Sequence, residues 1–293
     1  MSVAIGLAGA GRRAAEAHAP LLASSPHVRF AGVWGRTPGL AQQLAWSYDV
    51  TAYARYGDLL DHCDAVAFAV PAGPQASLAV AAVQRGRAVL LELPIGGDLA
   101  DAEQLVDAVD KAGVISQVAL TWRYSRRVRA FLGGAVPQAR PLGGSGRLVS
   151  SVLARDPQTL QDRIERGVLL DQGPDLVDLL DAALGHVVGV RAHGDPLGWV
   201  GLLLEHAGGR FSEASLCATA DVERDRAEVE VFGPGGAAAV DCVGAVGPDT
   251  YDTMIREFAN AVEHSTPHAL DARRGLHLQE VLGRAESDLF ASA

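Results

Sequence analysis

A glycine-rich segment near the start of the chain has the residues and spacing of a dinucleotide-binding turn. In GLAGAGRRAAEAH, three small residues, Gly9, Gly11 and Ala14, follow a G-x-G-x-x-A pattern between a predicted strand and a predicted helix. Gly9 permits a tight turn, Gly11 lets the backbone approach a pyrophosphate, and Ala14 allows close packing of helix on strand. Backbone N–H groups near Arg12 and Arg13 are expected to face the anion. The alternative is an incidental glycine-rich turn.

The residues after the second predicted strand bear on the choice of dinucleotide. An NAD site usually carries an acidic residue there, about 20 residues after the glycines, for the adenosine 2′-hydroxyl. The segment VWGRTPG instead places Gly35, Arg36 and Thr37 at this point. A guanidinium can stack on adenine and pair with a 2′-phosphate, and a hydroxyl can add a hydrogen bond. The sequence therefore predicts NADP(H) in preference to NAD(H), unless Arg36 is only a solvated turn residue.

These residues are positioned by an alternation of strands and helices that extends from residue 3 to about residue 120. The predicted strands carry almost no charge, as strands covered on both faces require, and they span residues 3–9, 28–35, 65–71, 88–94 and 114–120. Segments with helical spacing separate the first four of them and precede the fifth. The fold class predicted for this half is α/β, with a Rossmann, doubly wound parallel sheet.

A different pattern begins after residue 122. A strand is predicted at 146–154 and a helix with a proline near its start at 169–185, followed by strands at 187–193, 199–208, 210–219, 226–236 and 237–244. This order predicts a C-terminal α+β domain with a mainly antiparallel open sheet. The predicted domains are 1–122, which binds NADP, and 123–293, for substrate and oligomerisation. A C-terminal helix that packs back on the first domain is the alternative for the end of the chain.

Composition restricts the partners. A chain of 293 residues with 48% hydrophobic residues can bury the cores of two domains. A formal net charge of -10 disfavours nucleic acid and anionic membranes, so a small-molecule substrate is expected. No apolar run of about 18 residues and no secretory leader pattern is found, which predicts a soluble, cytoplasmic protein without membrane contact.

Cysteine and histidine spacing indicates no metal. The three cysteines are far apart, which favours free thiols, and the nine histidines show no zinc-binding spacing. His18, one turn into the first helix, is interpreted as a packing residue. The apolar strands of the second half predict a sheet face that needs a partner, and hence a homodimer or a homotetramer.

The order of these motifs resembles that of the Gfo/Idh/MocA family of two-domain oxidoreductases, most of which are sugar and polyol dehydrogenases that use NAD(P). The resemblance covers nearly the whole chain, through the glycine-rich turn and the segments AVPAGPQ, LELP, VALTWRY and GVLLDQGPDLVDLLDAALG. It places Val70, Pro71 and Gln75 beside the cofactor, with Gln75 where a histidine is common on the nicotinamide side. It also implies that Glu92 is structural or faces the nicotinamide ribose.

The chain departs from the family at both proton-transfer positions. The family motif E-K-P supplies a lysine that helps to bind substrate, and D-x-G-x-H-x-x-D supplies the histidine acid/base. Here Leu93 stands at the lysine position and Asp175 at the histidine position, whereas Asp171, Gly173 and Asp178 match. A leucine neither bonds a hydroxyl nor carries charge. The resemblance therefore implies a cofactor cleft with altered proton transfer, in which Leu93 lines the cofactor site.

The aspartates of the helix motif are candidate acid/base groups. Asp171, Asp175 and Asp178 share one predicted helical face, and clustered carboxylates raise one another's pKa. Asp175 would then serve as a general acid near neutral pH. The glycine before Pro174 indicates that the helix begins around there. The alternative is that these acids merely lie at a helix N-terminus, where they favour its dipole.

Two residues after the fifth predicted strand are further candidates. Tyr124 carries a phenol that can donate a proton to a carbonyl or imine, and Arg123 can hold a carboxylate or a ribose. Both can instead be ordinary packing residues where the domains join.

Three functions remain open at this point. The first is an NADPH-dependent reductase of a small metabolite, such as an imine or a conjugated compound, with a non-standard proton donor. The second is a catalytically silent relative that binds NADP(H) or a metabolite. The third is a non-redox enzyme that uses Asp175 or Tyr124 for elimination, isomerisation or cyclisation. The first is favoured because Gly9, Gly11 and Arg36 occur together.

Overall fold

The computed structural model describes residues 2–152 and 160–291. The chain divides into two compact units: unit 1 comprises Met1–Ala119 and Tyr251–Leu276, and unit 2 comprises Leu120–Thr250 and His277–Ala293. The first boundary lies close to the one expected after residue 122. Residues Tyr251–Leu276 cluster with unit 1, although the predicted second domain, 123–293, included them.

Unit 1 is built on a six-stranded parallel sheet with the order β3-β2-β1-β4-β5-β6. Its strands are β1 (Val3–Ala8), β2 (Val28–Trp34), β3 (Ala52–Tyr53), β4 (Ala65–Phe68), β5 (Ala88–Leu91) and β6 (Ser116–Val118). The predicted doubly wound parallel sheet is confirmed. The edge strand β3 was missed because two residues leave no periodic pattern in the sequence.

Helices connect these strands. They are α1 (Ala19–Ser24), α2 (Pro38–Ser47), α3 (Tyr56–Asp61), α4 (Ala72–Gln84) and α5 (Leu99–Ala112). Helix α5 shows why they form where they do. The Asp98 side chain accepts a hydrogen bond from the Asp101 N–H at its start, and Gly113 ends it at a φ of 64°. Its buried face repeats at helical spacing through Ala102, Leu105 and Val109.

The centre of this sheet is the point at which the winding reverses. β1 lies between β2, which follows it in sequence, and β4, which the chain reaches only after crossing back. β1, β4 and β5 are buried along their whole length. In open α/β sheets, ligands bind beyond the carboxyl ends of the strands at such a switch point. The glycine-rich turn after β1 lies at this position.

Unit 2 contains a second six-stranded sheet with the order β12-β11-β7-β10-β9-β8. Its strands are β7 (Gly143–Val149), β8 (Val187–Gly194), β9 (Trp199–His206), β10 (Arg210–Cys217), β11 (Arg226–Gly233) and β12 (Gly236–Asp241). Only β7 and β10 pair in parallel, so the predicted mainly antiparallel sheet is confirmed. The last residues predicted for the strand at 146–154, 153–154, lie outside the described residues.

One long helix covers a face of this sheet. Two short helices, α6 (Arg126–Ala130) and α7 (Val136–Ala139), precede β7, and α8 (Leu160–Leu184) follows it and contacts β7, β9, β10 and β11. A Cβ at Gly146 of β7 would lie 2.9 Å from Leu176 Cδ1 and 3.1 Å from Leu180 Cδ1. The glycine therefore lets α8 pack directly on the strand.

The strands expose large apolar side chains on alternate positions. In β9, Val200, Leu202 and Leu204 are buried, whereas Trp199 and Leu203 are about half exposed. Phe211 of β10 and Phe232 of β11 both pair with Gly143 of β7 and are each 49% exposed. An apolar patch formed by Trp199, Leu203, Phe211 and Phe232 therefore remains accessible on this sheet.

Two further helices complete the described chain, α9 (Pro248–His264) and α10 (Ala272–Ala291). No helix among the described residues has the length and apolar character needed to cross a bilayer. Cys63, Cys217 and Cys242 are free cysteines, as expected.

Candidate active site

The turn after β1 is shaped by two glycines with different roles. Gly9 has a φ of 130°, and its N–H donates to Trp34 O at 2.8 Å. A Cβ at Gly9 would lie 2.3 Å from Ala69 O, so no other residue fits there. A Cβ at Gly11 would meet no atom within 4 Å. Space beside the backbone is therefore open at Gly11, where a pyrophosphate was expected to approach.

The helix after this turn contains a π turn. Arg12 and Arg13 are helical, Ala14–His18 form the π turn, and α1 continues from Ala19. Ala14 is fully buried, as close packing of helix on strand requires. Such one-turn widenings change the direction of the side chains that follow and are frequent at functional sites. Here the buried residue at the end of the π turn is His18.

His18 and Arg13 both bind Glu92, which follows β5. His18 Nε2 lies 2.6 Å from Glu92 Oε1, and Arg13 Nη2 donates to Glu92 Oε2 at 2.7 Å. Burial by itself raises the pKa of Glu92, but the hydrogen bond from His18 and the charge of Arg13 outweigh it and lower the pKa to about 2. Sequence reasoning missed this network because it treated His18 only as a packing residue.

Gln75 holds the same segment from the other side. Its fully buried amide donates to Glu92 O at 2.8 Å and to Pro94 O at 3.2 Å, and Glu92 N–H donates to Gln75 Oε1 at 3.0 Å. The Leu93–Pro94 peptide is cis, and the Leu93 side chain is half-buried. The Gln75 amide is thus placed to support the LELP segment.

The remaining predicted cofactor residues lie at the same edge of the sheet. Val70 and Pro71 follow β4 and are half-buried and exposed, respectively. Gly35 follows β2, and a Cβ there would lie 2.9 Å from Ala10 Cβ, which indicates tight packing against the glycine-rich turn. Arg36 and Thr37 are exposed immediately after it. The carboxyl ends of β1, β2, β4 and β5 therefore carry all the unit 1 residues predicted for the cofactor.

In unit 2, Arg123 forms a buried ion pair. Its Nη1 donates to both carboxylate oxygens of Asp178, at 3.1 and 3.0 Å, and the Asp178 side chain is 1% exposed. This pair joins the short 3₁₀ turn Thr121–Tyr124 to α8. Arg123 was predicted to bind a substrate carboxylate or a ribose, and the structure gives its guanidinium a structural partner.

The aspartates of α8 are not at a helix start centred on Pro174. The chain is non-helical at Gly167, whose φ is 66°, and the helical turns resume at Val168, whose N–H donates to Pro196 O. Pro174 therefore lies inside a helix, which corrects the expectation that the helix begins there. Dipole effects are confined to the first turn, so they do not account for Asp175.

Asp175 and Tyr124 have different surroundings in unit 2. Asp175 is half-buried, and its charge is among those that raise the pKa of the buried Cys242 thiol, to about 12, after burial itself and Asp241. Tyr124 is 1% exposed, and Arg129 Cζ lies 5.7 Å from the centre of its ring. These contacts favour a packing role for Tyr124.

The lowered pKa of Glu92 predicts a pH-dependent contribution to stability. A carboxyl with a folded pKa of about 2 and an ordinary value of 4.5 stabilises the fold fully above pH 4.5, and loses this effect as the pH falls towards 2. In urea denaturation, Glu92→Gln should lower the unfolding midpoint by the same amount at pH 7 and pH 5. Below about pH 4.5, the difference in unfolding midpoint between the parent and Glu92→Gln should become smaller.

Glu103→Gln on the exposed surface of α5 is the matched control and should have little effect at any pH. A Glu92→Gln difference that stays constant down to pH 3 would contradict the assignment.

An N-terminal segment of the chain matches the model of a known family. Residues 3–120 match the model for GFO_IDH_MocA, described as an oxidoreductase family with an NAD-binding Rossmann fold. A search of curated proteins finds none that matches the sequence.

Solved structures match over the whole length at low identity. GenD2 from gentamicin A biosynthesis, in complex with NAD, is 20% identical with a TM-score of 0.86, covering 100% of this chain and 95% of its own. UDP-N-acetylglucosamine 3-dehydrogenase GnnA from Acidithiobacillus ferrooxidans is 19% identical with a TM-score of 0.87, covering 99% of each chain. Scyllo-inositol dehydrogenase from Lactobacillus casei, with bound NAD(H) and scyllo-inositol, is 16% identical with a TM-score of 0.88. The match covers 100% of this chain and 98% of the dehydrogenase chain. These likenesses show a shared fold, and residues 3–120 are similar to the NAD-binding Rossmann fold of the Gfo/Idh/MocA oxidoreductase family.

Proposed function

We propose that this protein is an NAD(P)-dependent oxidoreductase, a reductase of a small carbonyl or imine compound that uses a proton donor other than the family's lysine and histidine. The observation that carries the proposal is the pair of glycines after β1. Gly9 fixes the turn and Gly11 leaves open space beside the backbone, which fits a pyrophosphate at this edge. The bound nicotinamide would supply the hydride, and the protein must then supply the proton.

Leu93 restricts where that proton can come from. Its half-buried side chain has no polar atom, so the LELP segment provides no proton donor at this position. An apolar group here would exclude water from the reacting atoms. The Glu92 carboxylate pairs with Arg13 and His18, and its lowered pKa keeps it ionised, so it is not a proton donor.

Asp175 is the best remaining donor. It takes the place of the histidine in the family's helix motif and lies one turn from Asp178, which the Arg123 pair holds in position. Tyr124, the other candidate, has its side chain buried beneath Arg129. We therefore assign proton transfer to Asp175, with Asp178 and Arg123 fixing the helix that carries it.

The similar structures favour a polyhydroxylated substrate class. Two of the similar structures are described as acting on or binding polyhydroxylated compounds, an inositol and a sugar nucleotide. The substrate panel should therefore include sugar-like alcohols and the corresponding ketones, together with imines and conjugated carbonyl compounds.

Cofactor choice is predicted from Arg36. The exposed guanidinium after β2 is free of the acidic neighbour that NAD sites use, so NADPH should raise the melting temperature more than NADH at equal concentration. Arg36→Ala should abolish the difference, whereas Arg55→Ala, at another exposed arginine of unit 1, should preserve it. Two similar structures contain NAD or NAD(H). Equal melting-temperature shifts with NADPH and NADH in the parent would contradict the preference predicted from Arg36.

Assembly is predicted from the apolar patch of unit 2. An uncovered patch of Trp199, Leu203, Phe211 and Phe232 is unfavourable in water, so we expect a homodimer or a homotetramer that covers it. Light scattering at micromolar concentration should give a multiple of the chain mass, and Leu203→Asp should reduce it. Glu205→Gln on the same strand is the control. A monomer mass for the parent would refute this assembly.

The proton donor is tested by steady-state kinetics. NADPH and NADH oxidation should be followed with ketones, imines and unsaturated carbonyl compounds, and NADP⁺ and NAD⁺ reduction with polyols and sugar nucleotides. With any substrate found, Asp175→Asn should lower turnover by about 10²- to 10⁴-fold and leave cofactor binding unchanged. Tyr124→Phe should change turnover much less, because the ring remains packed.

If Tyr124→Phe lowers turnover and Asp175→Asn does not, the proton donor is Tyr124 and not Asp175. A parent protein that binds the cofactor and transfers hydride to no compound would instead favour the catalytically silent or non-redox alternative.

A further inference from the structure

Three side chains that the proposed function does not use meet within unit 2. Asp181 lies near the end of α8, His186 lies in the connection to β8, and His277 lies on α10. His277 Nε2 is 2.8 Å from Asp181 Oδ2, and His186 Nδ1 is 3.8 Å from the same oxygen. One ligand atom of each residue lies within 4.8 Å of the other two.

We propose that Asp181, His186 and His277 form a binding site for a divalent transition-metal ion of the zinc type. With ligand bonds of about 2.0–2.1 Å, the ligand atoms of a tetrahedral zinc ion are roughly 3.4 Å apart. The distance from His277 Nε2 to Asp181 Oδ2, 2.8 Å, is shorter than that value. All the distances between the ligand atoms of the three residues are at most 4.8 Å. Side-chain rotation is therefore needed to direct all three ligand atoms at one ion.

The donor set selects the kind of ion. Two imidazole nitrogens and one carboxylate oxygen suit zinc and its neighbours, whereas magnesium and calcium prefer oxygen ligands alone. Asp181 is 6% exposed and supplies a negative charge that a cation would offset inside the protein.

The surroundings hold the ligands at this spacing. Asp181 Oδ2 also accepts a hydrogen bond from the Val187 N–H at 2.7 Å, which orients the carboxylate. Arg210 donates to Leu184 O, and His206 Nδ1 lies 2.6 Å from Gly185 O. The end of α8 and the start of the connection that carries His186 are thus fixed from a neighbouring hairpin.

The arrangement also provides access and an open position. The His186 side chain is 62% exposed, whereas those of His277 and Asp181 are 11% and 6% exposed. The two imidazole rings are stacked with their centres 3.9 Å apart, so the exposed His186 ring is the one that would rotate towards an ion. Water can complete the coordination from the same side. Such an ion would connect α8, the start of β8 and α10.

Metal titration tests this proposal on the full chain without a polyhistidine tag. After chelator treatment, Zn²⁺ should bind with one ion per chain in calorimetry and raise the melting temperature, because it binds only the folded state. Co²⁺ in its place should give the visible absorption of a tetrahedral site. Mg²⁺ at the same concentration should do neither.

His186→Ala is the test variant because this side chain is 62% exposed. It should weaken Zn²⁺ binding by about tenfold or more, whereas His193→Ala, an exposed histidine on β8 outside the cluster, should leave it unchanged. His277→Gln should also weaken binding. Equal Zn²⁺ affinity in the parent, His186→Ala and His193→Ala, or no stoichiometric binding, would show that the cluster is only a hydrogen-bonded histidine–aspartate group.

Discussion

The candidate active site depends on how closely two backbone segments approach each other at Gly9. The end of β1 lies so near Ala69, which follows β4, that a Cβ at Gly9 would be 2.3 Å from Ala69 O. This approach brings the two central strands together at the switch point of the sheet. Gly9 therefore fixes the turn beside which the cofactor is proposed to bind.

A second requirement is the electrostatic compensation of Glu92. A half-buried carboxylate needs a positive partner, and the neighbouring Leu93 provides none. Arg13 and His18, both from the helix after the glycine-rich turn, supply the partners instead. The π turn ends at His18, so the geometry of this helix and the charge of the LELP segment are linked. The positive partners of Glu92 therefore come from another element, because the LELP segment carries no basic side chain of its own.

Local patterns predicted much of the fold. Uncharged apolar runs identified the strands of unit 1, because both faces of those strands are buried. The strands of unit 2 were identified as consecutive segments joined by glycine-rich turns. The start of the helix carrying Asp175 was predicted wrongly. A proline marks the start of a helix in many sequences. Here the helical backbone is interrupted at Gly167, and Pro174 lies inside the helix. Nothing in the local sequence distinguishes these two cases.

Contacts between distant residues could not be predicted. Arg123 and Asp178 are far apart in sequence, and only the packing of α8 shows that they form an ion pair. The same applies to His18 with Glu92 and to Asp181 with His277, because residues brought together by different elements have no characteristic spacing. Tyr124 could be placed after a strand, but its burial depends on the surrounding unit.

The central claim, a dinucleotide site at the turn after β1, is tested most directly by a Gly11→Val variant. A valine at Gly11 meets no protein atom but would occupy the space assigned to the pyrophosphate, so the variant should fold with an unchanged melting temperature. Titration followed by nicotinamide fluorescence should show NADPH or NADH binding to the parent and to Gly39→Val, where space is also open, and binding weaker by about tenfold or more in Gly11→Val. Equal binding by a folded Gly11→Val variant, or no binding of either cofactor by the parent, would contradict the account.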